Sequence, residues 1–173
     1  YRLLGADQRV SVYLNEAALP GVSVVPGIQV EPDSSRRITT LWSPTFDPAK
    51  TTIVEEPVLA VGQAGGTGTA VIEGNGDDTL AVRVRSTGPA LLHVSRTYHR
   101  SWKAEVDGVP VPVIRANHAL MAVPLAGSGE HRVIMRYRPT IVRMATMISA
   151  ATWAAVLLIT LLGAVLHLRR ARG

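Results

Sequence analysis

Cysteine is absent from the 173 residues, which excludes a disulfide framework and any cysteine-ligated zinc or redox centre. Aromatic residues are scarce, at 5%, so a core has to be built mainly from aliphatic side chains. Charged residues reach only 18% against 47% hydrophobic, which excludes disorder for the chain as a whole. Acidic residues stop at Glu130, so all 13 of them precede residue 140, together with 14 of the 18 basic residues. The first 139 residues are therefore close to neutral. The net charge of +5 and the pI near 10.2 come from Arg143, Arg169, Arg170 and Arg172, which excludes a general nucleic-acid-binding face. The length suits one domain, or one domain with an appendage.

Those four arginines flank a run from Met144 to Leu168 without Asp, Glu, Lys or Arg. As a helix it extends about 37 Å at 1.5 Å per residue, enough for a hydrocarbon core of roughly 30 Å. His167, beside the terminal arginines, is its one residue able to carry charge. The pattern predicts a transmembrane helix over 140–168, a basic tail over 169–173 and a folded region over 1–139. The first half of the helix is weakly apolar, and Ala150/Ala154 and Ala151/Ala155 are spaced so that another helix backbone can approach closely. The expected partners are therefore the bilayer and transmembrane helices outside this chain. Arg169, Arg170 and Arg172 place the C-terminus in the cytoplasm by the positive-inside rule. Arg132, Arg136, Arg138 and Arg143 oppose that assignment, but long domains translocate largely regardless of charge, so 1–139 is expected outside. The sequence opens at Tyr1 without Met or a signal segment, as expected of a piece from the end of a longer membrane protein.

Period-two alternation dominates residues 1–139. Val10, Val12 and Leu14 share one strand face, and Val22–Val25 and Ile28–Val30 are short apolar runs separated by Pro26-Gly27. Residues 52–61 read as extended, interrupted at Pro57. Ala70–Glu73 and Leu80–Arg85 flank a strong turn, with Leu80, Val82 and Val84 inward and Arg83 and Arg85 toward water. Trp102–Val106, Asp107-Gly108 and Val109–Ile114 form a predicted hairpin, because a two-residue turn needs positive φ that Gly adopts freely and Asp tolerates. Ala119–Val123 and His131–Tyr137 form a second one through Gly127-Ser128-Gly129. One helix is predicted at Ser34–Leu41 with Asp33 as its cap. About nine short strands make the expected fold mainly β, an antiparallel β-sandwich or jelly-roll-like domain followed by one transmembrane helix.

Sites of chemistry are few. Gly62–Gly68 reads as a mobile Gly-rich loop, since it lacks the Lys-Ser/Thr of a phosphate loop and leads into no helix. His93, His99, His118 and His131 show no paired metal-ligand spacing, so neither a metal nor a cofactor is expected. Glu55-Glu56 would face opposite sides of a strand and Asp77-Asp78 sits in a turn, which argues against a glycosidase dyad. No catalytic residue is assigned. The stretch Arg83–Lys103 holds five basic residues and no acidic one. Within it Arg96, Tyr98, Arg100, Trp102 and Lys103 are the candidate ligand-binding residues, because aromatic faces stack on sugars and Arg forks take phosphate or carboxylate. The alternative is a solvated strand face with Trp102 in the core, and parity with Ala104 and Val106 favours burial of the ring.

Four segments together resemble the YfhO-like family of bacterial polytopic membrane proteins. They are Tyr13-Leu14-Asn15 with Ala18-Leu19-Pro20, Ser43-Pro44 with Phe46-Asp47-Pro48, Tyr98–Ala104 with Val106-Asp107-Gly108, and Gly129–Val133 with Tyr137-Arg138-Pro139 before the last helix. A Pro-Gly usual in the family before the Trp is Arg100-Ser101 here, which puts a shared role for that turn in doubt. The resemblance implies a GT-C-type glycosyltransferase architecture using lipid-phosphate-linked sugars, linked to decoration of cell-envelope polymers in the bacterial plasma membrane. It also implies that the catalytic Asp lies upstream of these residues. The chain would be the non-catalytic extracytoplasmic accessory domain and last span of such an enzyme. The alternatives are a membrane-anchored module that binds a carbohydrate, an anionic glycolipid or an envelope polymer, and a purely structural β domain.

Overall fold

Alternation along the strands resolves into two large sheets that share one core and a separate, exposed two-stranded ribbon over residues 2–14. The computed structural model describes residues 1–170 except 8, 17 and 63; side chains at 140–143, 162–166, 168 and 169 are also outside the description. It divides into two compact units, Tyr1–Tyr137 and Arg138–Gly173. Thirteen strands are found among the described residues: β1 Arg2–Ala6, β2 Ser11–Leu14, β3 Val22–Val25, β4 Gly27–Val30, β5 Thr51–Val54, β6 Gly68–Asn75, β7 Thr79–Ser86, β8 Ala90–Val94, β9 Trp102–Val106, β10 Val109–Val111, β11 Ile114–Ala116, β12 Leu120–Leu125 and β13 Gly129–Tyr137. Two helices, α1 Ser34–Leu41 and α2 Thr140–Arg170, accompany them.

The first unit pairs a five-stranded antiparallel sheet, β10-β9-β13-β7-β6, with a six-stranded sheet, β3-β8-β12-β11-β5-β4. Leu80, Val82, Val84, Trp102, Ala104, Val133 and Met135 project from the first into a core met by Val22, Leu92, Val94, Met121, Val123 and Leu125 from the second. As predicted, Arg83 and Arg85 stand on the opposite face of β7, in water. The mainly β fold with a C-terminal apolar helix is thus as the sequence implies. The second sheet is mixed, however: β4 and β5 run parallel, joined by α1 as a crossover. That helix occupies the predicted span, and the Asp33 carboxylate accepts from the Arg36 amide at 2.8 Å, satisfying one of the free N–H groups of its first turn.

Three strand assignments change. The run Val109–Ile114 is not one strand, because Pro112 lacks the N–H a ladder needs; β10 stays with β9 while β11 crosses to pair with β12. Nor do β12 and β13 pair with one another. Each has an apolar face turned to the shared core, so the turn between them carries the chain from one sheet to the other, where β12 meets β8 and β13 meets β7 and β9. Strand β8 lacks alternation because both its faces are covered: Ala90, Leu92 and Val94 face the main core, and Leu91 packs with Val54, Val61, Ala116 and Ala122 on the other side.

The Gly-rich segment is tied down rather than mobile at its centre. The amides of Gly65 and Gly66 both donate to the Pro89 carbonyl, at 3.0 and 2.8 Å, and Thr67 exchanges hydrogen bonds with Thr87. Gly68 opens β6 so close to β7 that a methyl group there would penetrate the Arg85 carbonyl oxygen. Gly68→Ala should therefore destabilise the unit by about 1–3 kcal/mol through forced backbone displacement. A thermal melt of the full chain in detergent micelles checks this; an unchanged midpoint would refute the close approach. At the Asp107-Gly108 turn both residues take positive φ, 53° and 82°, as the two-residue hairpin requires.

The second unit is α2. Its Met144–Leu161 stretch is long and apolar enough to cross a membrane, and none of it is buried within the chain. Thr152 and Thr160 donate back to the Ile148 and Val156 carbonyls at 2.9 and 3.0 Å, which lets hydroxyls sit in a hydrocarbon-length helix without a partner. Of the predicted basic tail, residues 171–173 lie outside the described residues.

Candidate functional site

The five candidate ligand-binding residues separate in space. Trp102 opens β9 facing the core, is 8% exposed, and meets the Tyr137 ring at 5.5 Å. Arg96 lies over the indole at 5.6 Å and donates to Asn75 Oδ1 and the Gly76 carbonyl at 2.5 and 3.0 Å, so its guanidinium is held by the β6–β7 turn. Arg100 is exposed in the loop before β9, and Lys103 stands on the solvent face of β9 opposite Arg136 in the ladder. Tyr98 belongs to a different place. Its ring is covered by the Arg115 guanidinium at 5.0 Å.

The basic character of Arg83–Lys103 is offset by acids supplied from other strands. Glu73 on β6 accepts from Arg83 Nε at 2.6 Å, and Glu130 on β13 pairs with Arg83 at 3.4 Å and Arg85 at 3.0 Å. Glu105 pairs with Arg136 at 3.2 Å. These contacts are mostly exposed and, screened by solvent, add little to stability. They form an ion-paired, solvated sheet face. At its margin Asp107 accepts from the Arg132 amide at 2.8 Å and meets His131 Nδ1 at 2.7 Å. The amide bond, then the imidazole, holds the Asp107 carboxyl below its ordinary range. Two of the segments that resemble the family therefore touch here, at Asp107 and His131.

Tyr98 and Arg115 line a groove of about 590 Å³ with Glu55, Glu56, Leu59 and Val113. The groove opens where the strands separate, since β5 and β11 share only the Ala116–Val54 pair. Glu55 is fixed from two sides. Arg115 reaches its Oε1 at 3.4 Å and Arg37 reaches the same oxygen at 3.0 Å. Arg37 is itself buried, at 4% exposure, and is anchored to the Glu31 and Pro32 carbonyls at 2.8 and 2.7 Å. A buried, always-charged guanidinium thus sets the position of a half-exposed carboxylate. Leu59 stands at the groove almost fully in water, 92% exposed. The strand-parity rule expected Glu55 and Glu56 on opposite faces. It fails because β5 ends at Val54, and both carboxylates line the groove. Arg37, Leu59 and Arg115 carry no motif, and only their three-dimensional convergence marks them.

Behind the groove, Asn117 stitches β5 to β8. Its backbone N–H donates to the Ile53 carbonyl at 2.8 Å, its Oδ1 accepts from the Ile53 N–H at 2.8 Å, and its amide nitrogen faces His93 Nε2 at 3.4 Å. With Oδ1 so engaged, the Nδ2 group is the donor and His93 is neutral. Burial lowers the His93 pKa. A lowered folded-state pKa means that the stability is complete above the unfolded value, about 6.5, and is lost as pH falls below it. The wild-type melting temperature should therefore drop from pH 7 to pH 5 more than that of His93→Gln. Equal drops would remove His93 from the acid sensitivity.

Among the described residues no group of three or more His, Asp or Glu is placed to hold a metal ion. Residues 70–149 match the family model described as bacterial membrane protein YfhO. The match begins in β6, takes in the Tyr98–Gly108 and Gly129–Pro139 segments, and ends inside α2. No curated protein and no solved structure matches the chain.

Proposed function

Because the chain is YfhO-like from β6 into α2, we propose that residues 1–137 are the extracytoplasmic accessory domain, and α2 the last span, of a membrane glycosyltransferase that modifies cell-envelope polymers. One observation supports this: the family match crosses the junction between the β unit and the membrane-length helix, as expected if the two form one membrane-protein unit rather than a soluble module with an unrelated anchor. The catalytic carboxylate would come from upstream of Tyr1, and this chain would stabilise the enzyme or guide its acceptor. Sugar analysis of envelope polymers tests it. Cells lacking the protein should lose a glycosyl substituent that the intact protein restores, whereas an unchanged sugar content would sink the proposal.

The groove favours a second role within the first, that of an acceptor-binding surface. A fixed carboxylate and guanidinium beside Leu59 and Val113 offer hydrogen bonds to hydroxyls and apolar contact to sugar C–H faces. The Arg96–Trp102 cluster is the rival place for an anionic glycolipid, with Arg100 and Lys103 as its accessible charges. Glu55→Gln with Arg115→Gln should weaken acceptor use while leaving donor-sugar hydrolysis intact. Arg100→Gln with Lys103→Gln should do so instead if the cluster is the site.

A further inference from the structure

The hydrogen-bonding side chains within Met144–Leu161 are not scattered around α2. At about 100° per residue, Thr146, Ser149, Trp153, Thr160 and His167 fall within an arc of about 60°, and no apolar residue of Met144–Leu161 shares that arc. Within Met144–Leu161 only Thr152 lies outside it, and its hydroxyl, like that of Thr160, is satisfied by a carbonyl of its own helix. The opposite side carries Met147, Ala151, Ala155, Leu158 and other apolar residues.

Trp153 makes the arc consequential. It sits about 14 Å along the helix from Met144, near the midplane of a hydrocarbon core of roughly 30 Å, although Trp ordinarily settles at the interface where its N–H meets water. It is 69% exposed in the chain alone. An indole N–H facing hydrocarbon finds no acceptor, and a polar group left so destabilises the span. Thr160, by contrast, bonds back to its own helix at the Val156 carbonyl. Indole is a donor only, so a second copy of α2 related by a two-fold axis would set donor against donor at the same depth.

We infer that the Thr146–Ser149–Trp153–Thr160 face of α2 is the contact surface for a different transmembrane helix, one presenting a hydrogen-bond acceptor to Trp153 Nε1 near the bilayer midplane. The spacing 146, 149, 153, 160 follows a 3–4 rhythm, which sets a left-handed crossing near +20°. The side that carries Met147 and Leu158 faces lipid, in place of the helix contact expected from Ala151/Ala155. This rests on α2 spanning the membrane and not on the glycosyltransferase assignment.

Photo-crosslinking in native membranes tests it, with benzoyl-phenylalanine placed singly at Ser149, Thr160, Met147 or Leu158 of the complete protein. Ser149 and Thr160 should give adducts to peptides of another membrane helix, and Met147 and Leu158 adducts to lipid. Trp153→Phe, which keeps the ring and removes the N–H, should shift the Ser149 adducts from peptide toward lipid. Lipid adducts at all four positions, the reverse pattern, adducts between two copies of α2, or no response to Trp153→Phe would each overturn the inference. Absence of lipid adducts at all four positions would instead overturn the membrane span itself.

Discussion

Trp102→Ala should destabilise the β unit by about 3–5 kcal/mol, the range for emptying a buried aromatic site. At this size that is a fall in melting temperature of about 10–20 °C. The ring fills the end of the core between β9 and β13, where it touches Tyr137 and lies under Arg96. Removing it leaves a cavity that the shared core cannot close without moving both sheets. Trp102→Phe should recover most of the loss, and Arg96→Gln alone should cost only about 0.5–1 kcal/mol, the value of an exposed cation–π contact. Near-ultraviolet circular dichroism of the full chain in micelles reads all three. A shift below a few degrees for Trp102→Ala would show that the ring is peripheral.

The second large effect is all-or-none. These 173 residues contain no cysteine, so within them an introduced thiol is the one group that reacts. In intact cells Ser128→Cys, exposed in the turn between β12 and β13, should react with a membrane-impermeant maleimide. Gly173→Cys, beyond the terminal arginines, should react only after the cells are opened. Labelling at the reverse ends would invert the proposed topology and place the groove in the cytoplasm. Positive charge on the two flanks of α2 is too similar for charge alone to decide this, and a domain this long translocates largely regardless of charge.

The candidate sites show where local patterning stops being informative. Arg83–Lys103 looks like a basic binding stretch because its own segment holds no acid. Its neutralising partners come from strands on either side of β7, Glu73 ten residues before Arg83 and Glu130 more than forty after. The hidden groove has the same origin. Arg37 comes from the crossover helix, Glu55 from the end of β5 and Arg115 from β11, and nothing in the spacing of these residues announces that they meet. Pairing across a sheet brings together residues that share a register, and register is set by hairpin and crossover choices made far from the site.

What the sequence determined by itself were the features with a local cause. An uncharged run of membrane length needs no tertiary partner to be a helix, because hydrocarbon forces backbone groups to satisfy one another. Period-two apolar residues make β7 amphipathic wherever it pairs, Asp33 caps α1 through an amide three residues away, and Asp107-Gly108 turns because positive φ is cheap there. Tertiary structure decided what depends on two distant segments at once. It sent β12 and β13 to opposite sheets although a short Gly-rich turn joins them, since each could bury its apolar face only by facing the other across the core. It also covered both faces of β8, which erased the alternation that would have revealed the strand. Both outcomes follow from burial, which is a property of the assembled layers and not of any one stretch of chain.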